Sequence, residues 1–173
     1  MIGKTICVDD TNFIFETQFS GIKARDRFGD SRRKANLLIP DPEQAKDLIK
    51  AGINVRQTNP GPRDDLNTFV PEFFVQVLLA YRDKIGNPLK YPPRVYLVSG
   101  DAPPVLLDED SVGKTIDEDI RVKNVNIVLN PREYEPGKFT LYIRTMYVEK
   151  DLDDDPYAAR YRARRDDGEE LPF

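Results

Sequence analysis

Hydrophobic and polar positions alternate in short blocks along most of this chain, and the blocks predict strands. Lys4 to Val8 places Ile6 and Val8 on one face. Phe13, Phe15, Thr17 and Phe19 then recur at period two, which predicts a strand with a strongly apolar side that ends at Gly21. Ala35 to Ile39 and Arg94 to Ser99 read as further short strands. Phe73 to Arg82 is a continuous apolar run whose Phe and Val content favours strand over buried helix. Arg121 to Leu129 and Lys138 to Val148 are the two clearest strands, and the turn residues between them predict an antiparallel hairpin. In that hairpin Val125, Ile127 and Leu129 share one face and Phe139, Leu141 and Ile143 share another, with Tyr142, Arg144 and Met146 opposite.

One helix is announced by its ends. Asp41 is a good N-cap, Pro42 suits the first helical position, and Gln44 stands where a capping box needs it. Ala45, Leu48 and Ile49 form the expected buried stripe, and Gly52 is the stop signal. Residues 58–68 and 86–93 are rich in proline and glycine and read as loops, and one helical turn is expected within residues 105–119. Six or more short strands, one helix and long proline-rich loops make the expected fold mostly β. The natural candidate is an OB-like five- to seven-stranded antiparallel barrel over residues 1–150, followed by a flexible acidic tail over residues 151–173.

Composition removes several chemistries. The chain has no histidine and a single cysteine, Cys7, so His-based acid–base catalysis, an internal disulfide and Cys-cluster zinc sites are excluded. No apolar run approaches the ~20 residues of a helical membrane span. The simplest expected setting is soluble, reducing and cytoplasmic, with no membrane partner and no cofactor. Gly113-Lys114-Thr115 imitates the end of a phosphate-binding loop, but Asp108 stands where the first glycine is required. The carboxylates of residues 108–119 and 151–155 break the EF-hand pattern, and a magnesium-dependent nuclease is the weaker use of the first cluster. Its charge would instead repel nucleic acid and mark a face opposite any DNA groove.

Charge is unevenly placed. The net charge is −4, yet residues 151–173 hold eight acids and four arginines, which leaves 22 basic and 22 acidic residues in the body. Within the body, Lys23, Arg25, Arg27, Arg32, Arg33 and Lys34 crowd one stretch that also holds Phe28. Six cations in twelve residues suit contact with phosphate. Aromatics beside basic residues recur as Tyr81–Arg82, Lys90–Tyr91, Arg94–Tyr96 and Tyr142–Arg144. Neighbours on a strand face opposite ways, so only same-face pairs such as Tyr142 and Arg144 are directly suggestive. A basic groove with aromatic faces is the physical requirement for holding single-stranded nucleic acid.

The sequence closes on Asp166, Asp167, Gly168, Glu169, Glu170, Leu171, Pro172 and Phe173, an acidic run with an apolar tip. Acidic runs of this kind act as interaction tails. This tip resembles that of single-stranded-DNA-binding proteins, in which acids precede a final hydrophobic-Pro-Phe. With the aromatic–basic N-terminal segment and the barrel-like strands, the chain is similar to phage-encoded members of that family. The resemblance implies sequence-tolerant binding of single-stranded DNA during replication and recombination, without enzymatic activity. The basic stretch and the same-face aromatic–basic pair make Lys23, Arg25, Arg27, Phe28, Arg32, Arg33, Lys34, Tyr142 and Arg144 the expected DNA contacts. The resemblance further implies that Asp166, Asp167, Glu169, Glu170, Leu171, Pro172 and Phe173 recruit replication proteins, such as DNA polymerase or helicase/primase, and compete with DNA for the groove. The setting is then the host cytoplasm, and a homodimer is compatible with it. Two departures point to the viral branch. There is no long Gly/Gln/Pro linker before the tip, and the chain has no tryptophan. The rival reading is a structural or scaffolding protein of a virion whose acidic tail docks a partner subunit.

Overall fold

The computed structural model describes residues 4–21 and 32–152. The expectations placed on Lys23, Arg25, Arg27 and Phe28, and on residues 153–173, lie outside the described residues. The fold is mostly β. Nine strands form one sheet: β1 (Ile6–Thr11), β2 (Phe13–Gln18), β3 (Lys34–Ile39), β4 (Arg56–Gln57), β5 (Phe73–Leu78), β6 (Arg94–Val98), β7 (Val105–Leu107), β8 (Val122–Glu135) and β9 (Lys138–Lys150). Helix α1 (Pro42–Lys50) follows β3 directly, and a three-residue helix α2 (Val112–Lys114) runs into a π-type turn at Thr115–Asp119.

The main pairing path runs β1-β8-β9-β5-β3-β2. Its two ends are successive pieces of chain, joined only by Asn12. One bent segment thus serves two edges, giving its first half to β8 and its second half to β3. Asn12 ties the seam: its carbonyl accepts from Leu38 N at 3.0 Å and its amide donates to the Val122 carbonyl at 3.1 Å. The path is an open one with an OB-like curl, not a fully hydrogen-bonded ring. It is also mixed: β9 pairs parallel with both β5 and β6, so the expected all-antiparallel barrel is corrected in that detail and in its strand number.

The core lies inside this curl. Leu37, Val77, Val95, Leu129, Met146 and Val148 are fully buried there. Helix α1 covers the end reached by Ile39, with Ala45 and Leu48 turned inward. Asp41 caps the helix by accepting from Glu43 N at 3.0 Å. Gln44 does not complete a capping box. It donates instead to the Cys7 carbonyl at 2.8 Å and fastens the helix to β1. Ile49, expected in the buried stripe, is 52 % exposed, because only the Ala45–Leu48 side meets the sheet.

Of the register slips among the described strands, three bear on which way side chains face, and two of these overturn the simple period of two. Between Ile14 and Gln18 the register against β3 slips, so Phe15 emerges 63 % exposed while Phe19 is fully buried. In the hairpin the register slips between Val128 and Leu129, opposite Arg144. Met146 therefore returns to the core and does not share the outer face with Tyr142 and Arg144. The third slip, between Val8 and Thr11, contains Asp10 at φ 50°, and Asn126 holds its N–H at 2.8 Å. Pro131 does not end β8 as expected; the ladder continues through it to Glu135.

The acidic stretch of residues 108–119 is partly structural. Asp117 accepts hydrogen bonds from Thr17 Oγ1 at 2.7 Å, Phe19 N at 3.0 Å and Ser20 N at 2.9 Å. It thereby pins the end of β2 across nearly a hundred residues of chain. Gly113 makes the approach feasible, since a Cβ there would strike the Ser20 backbone. Replacing Asp117 with Ala removes an ionised acceptor from three donors and should cost about 3 kcal/mol of folding stability. Denaturant midpoints of the Ala and Asn variants will check this. Asn, which keeps one acceptor oxygen, should recover part of the loss; equal midpoints for wild type and Ala would show that the pin is idle.

Candidate nucleic-acid interface

Strand β9 has one edge on β8 and offers the other to two strands. β5 takes Leu141 and Tyr142, and β6 takes Thr145 to Glu149. Between these contacts the two neighbours diverge, and the chain leaving β5 loops through residues 80–93 before it returns as β6. The fork opens a cleft of about 1130 Å³, floored by Tyr142, Ile143, Arg144 and Thr145.

Its lining is basic. Arg82, Lys84, Lys90, Arg94, Arg132 and Arg144 reach it, against a single carboxylate, Asp83. That carboxylate is used locally: its Oδ1 accepts from Ile85 N at 3.1 Å and Asn87 N at 2.9 Å, which shapes the turn at Gly86. Arg82 is also committed. Its Nε donates to Glu109 at 2.8 Å and its Nη1 to the Gly86 carbonyl at 3.1 Å. Among the described residues, no carboxylate forms an ion pair with Lys84, Lys90, Arg94, Arg132 or Arg144. Five cations held together without counter-charges repel one another, and an anionic ligand relieves that repulsion.

Two tyrosines stand among these cations. Tyr91 is 83 % exposed, with the Lys90 ammonium 5.5 Å from its ring centroid. Tyr142 is half-buried on the floor, with the Arg132 guanidinium 5.2 Å from its ring. The cleft combines cations with aromatic faces, as a strand of nucleotides requires.

The expected contact residues are distributed as follows. Tyr142 and Arg144 lie in the cleft. Lys34 pairs in register with Leu78, and Leu78 with Tyr142, so Lys34 and Tyr142 share the outer face two strands apart, roughly 10 Å. Arg33 turns elsewhere: it donates to the Phe19 carbonyl at 2.8 Å and lies 5.6 Å from the Tyr81 ring. Arg32 is exposed on the approach to β3. Lys23, Arg25, Arg27 and Phe28 are outside the described residues. Arg82, Lys84, Lys90, Tyr91, Arg94 and Arg132 were not among the expected contacts. The aromatic–basic pairs at 81–82, 90–91 and 94–96 were the available signal, but only parallel pairing with β9 gathers them. The acidic stretch is not opposite the groove either, since Glu109 bonds Arg82 at the cleft rim.

Tyr81 lies beneath this rim. Burial pushes its phenol up to about 12, partly offset by Arg33 and reinforced by Glu109 and Asp108. Its hydroxyl is buried without a hydrogen-bond partner. A raised value means that the folded chain holds this proton more tightly than the unfolded one. The associated stability is present below the ordinary tyrosine value of about 10 and is lost as pH rises towards about 12. Tyr81→Phe should remove that alkaline loss while leaving neutral-pH stability within about 1 kcal/mol of wild type, or above it. Thermal unfolding followed from neutral pH to strong alkali will show whether the two curves separate only above pH ~10.

Comparison with known proteins returns no matching family model and no matching curated protein. Among solved structures, the chain is similar to gp2.5, a single-stranded DNA binding protein encoded by bacteriophage T7. The identity is 14 %, the likeness covers 90 % of this chain and 98 % of that one, and the TM-score is 0.40. This is a loose likeness of fold, and no residue role is carried across on it.

Proposed function

We propose that the chain binds single-stranded DNA in the β5–β9–β6 cleft, without sequence preference and without catalysis. The observation that carries this reading is the cluster of Lys84, Lys90, Arg94, Arg132 and Arg144 around Tyr91 and Tyr142, open to solvent and free of pairing carboxylates among the described residues. Phosphates neutralise the cations, and the tyrosine faces accept bases, each stacked base being worth about 1–3 kcal/mol. The contacts in this reading are charge and π-surface, which every nucleotide presents, so binding tolerates any sequence. In the same reading the protein covers single strands during replication and recombination of a phage in the host cytoplasm. The segment Asp166 to Phe173 recruits replication proteins and competes with DNA as a polyanion.

Fluorescence anisotropy of labelled oligo-dT, titrated at several salt concentrations with duplex as control, tests the reading. Tight, salt-sensitive binding to the single strand is expected. Arg132→Ala with Arg144→Ala should weaken it and flatten the salt slope by about 0.7 per lost phosphate contact. An unchanged slope would clear both arginines of phosphate contact, and absence of binding at low salt would overturn the reading. Removal of residues 153–173 should tighten binding at low salt. Equal affinity with and without them would show that self-competition does not operate.

A further inference from the structure

Phe15 is a large apolar side chain left 63 % exposed, on a backbone with φ 64°. Non-glycine residues adopt that left-handed conformation at a cost, and a bulky ring gains nothing in folding by being turned to water. The bulge that turns it out is held in place from the other side of the strand, where Asp117 grips Thr17 and Phe19. The ring is also held, edge to face against Phe74 with centroids 5.4 Å apart. One ring face is thus left open on a fixed support.

Its location joins it to the cleft. On β5, Val75 and Val77 point into the core, so Phe74, Gln76 and Leu78 turn to the opposite face, where Gln76 is exposed and Phe74 and Leu78 are covered by their neighbours. Leu78 is the register partner of both Lys34 and the cleft-floor Tyr142. Phe74 lies roughly 13 Å along the same strand. Between these points sit the paired amides Asn36 and Gln76, and Arg56 stands opposite Phe74. That face therefore reads, from the cleft outward, as tyrosine, a buried leucine, lysine, two amides, and a buried phenylalanine flanked by arginine and by Phe15.

We propose that Phe15 is a second stacking platform, and that a single strand leaving the cleft past Tyr142 crosses the outer face of β5 and β3 to place an unpaired base on its ring. This deepens the single-stranded-DNA reading and rests on it. Asn36 and Gln76 offer hydrogen bonds to base edges along the way, and the exposed Arg56 meets a flanking phosphate.

The test uses the full chain and a labelled oligo-dT. Phe15→Ala should weaken binding about tenfold, the equivalent of one stacked base. Phe15→Trp should bind as wild type and, because the chain has no other tryptophan, its emission should be quenched as the complex forms. Phe15→Gly relieves the φ penalty, so it should raise thermal stability while weakening binding as Ala does. If wild type and Phe15→Ala bind equally and the indole emission is unchanged in a complex that anisotropy shows to be formed, the platform is refuted while the cleft stands. If Phe15→Gly loses stability together with binding, Phe15 is a packing residue and the inference is also refuted. Absence of any wild-type complex in the same titration overturns the cleft reading and this one with it.

Discussion

The architecture depends on how one strand edge is shared. β9 is thirteen residues long and pairs with β8 along its length on one side, interrupted by bulges, but on the other it must satisfy its backbone with two shorter partners. β5 and β6 each take part of that edge, and they enter parallel to it. Two strands that leave the same edge at different points diverge, because each carries its own twist. The cleft is the wedge between them. Arg144 occupies the bulge at the point of divergence, where the slipped register both turns its side chain outward and lets Met146 rejoin the core.

The same economy of strands explains the other end of the sheet. β1 and β2 are one segment bent at Asn12, and bending a strand while keeping both halves paired requires extra residues. Asp10 and Phe15, the two non-glycine residues with positive φ among the described residues, sit in the two slips of this segment. Each is held by a distant side chain: Asn126 bonds Asp10, and Asp117 bonds the residues after Phe15. The acidic stretch around Asp117 thus acts on the architecture before it acts on any ligand. Asp108 and Ser111 close their own turn reciprocally at 2.7 and 3.1 Å, and Glu109 fixes Arg82 at the cleft rim.

Charge follows the fold rather than the composition. A chain with a net charge of −4 carries a cleft with six cations and one carboxylate, and the carboxylate is consumed by its own turn. Within a Debye length of about 8 Å the local cluster, not the total charge, decides what an approaching polyanion meets.

Local patterns in the sequence determined the mostly β character, the span and N-cap of α1, the antiparallel β8–β9 hairpin and the inward set Val125, Ile127, Leu129, Leu141 and Ile143. These are consequences of a two- or 3.6-residue period and of cap chemistry, which act over a few residues. Tyr142 and Arg144 were legible as outward neighbours for the same reason. Tertiary structure alone decided that Met146 faces inward and Phe15 outward, because a bulge is fixed by a partner strand or by a carboxylate some hundred residues away. It alone also gathered Arg82, Lys90, Tyr91, Arg94 and Arg132 around Tyr142, since parallel pairing to a shared edge joins segments whose local sequence carries no mark of the partner they will meet.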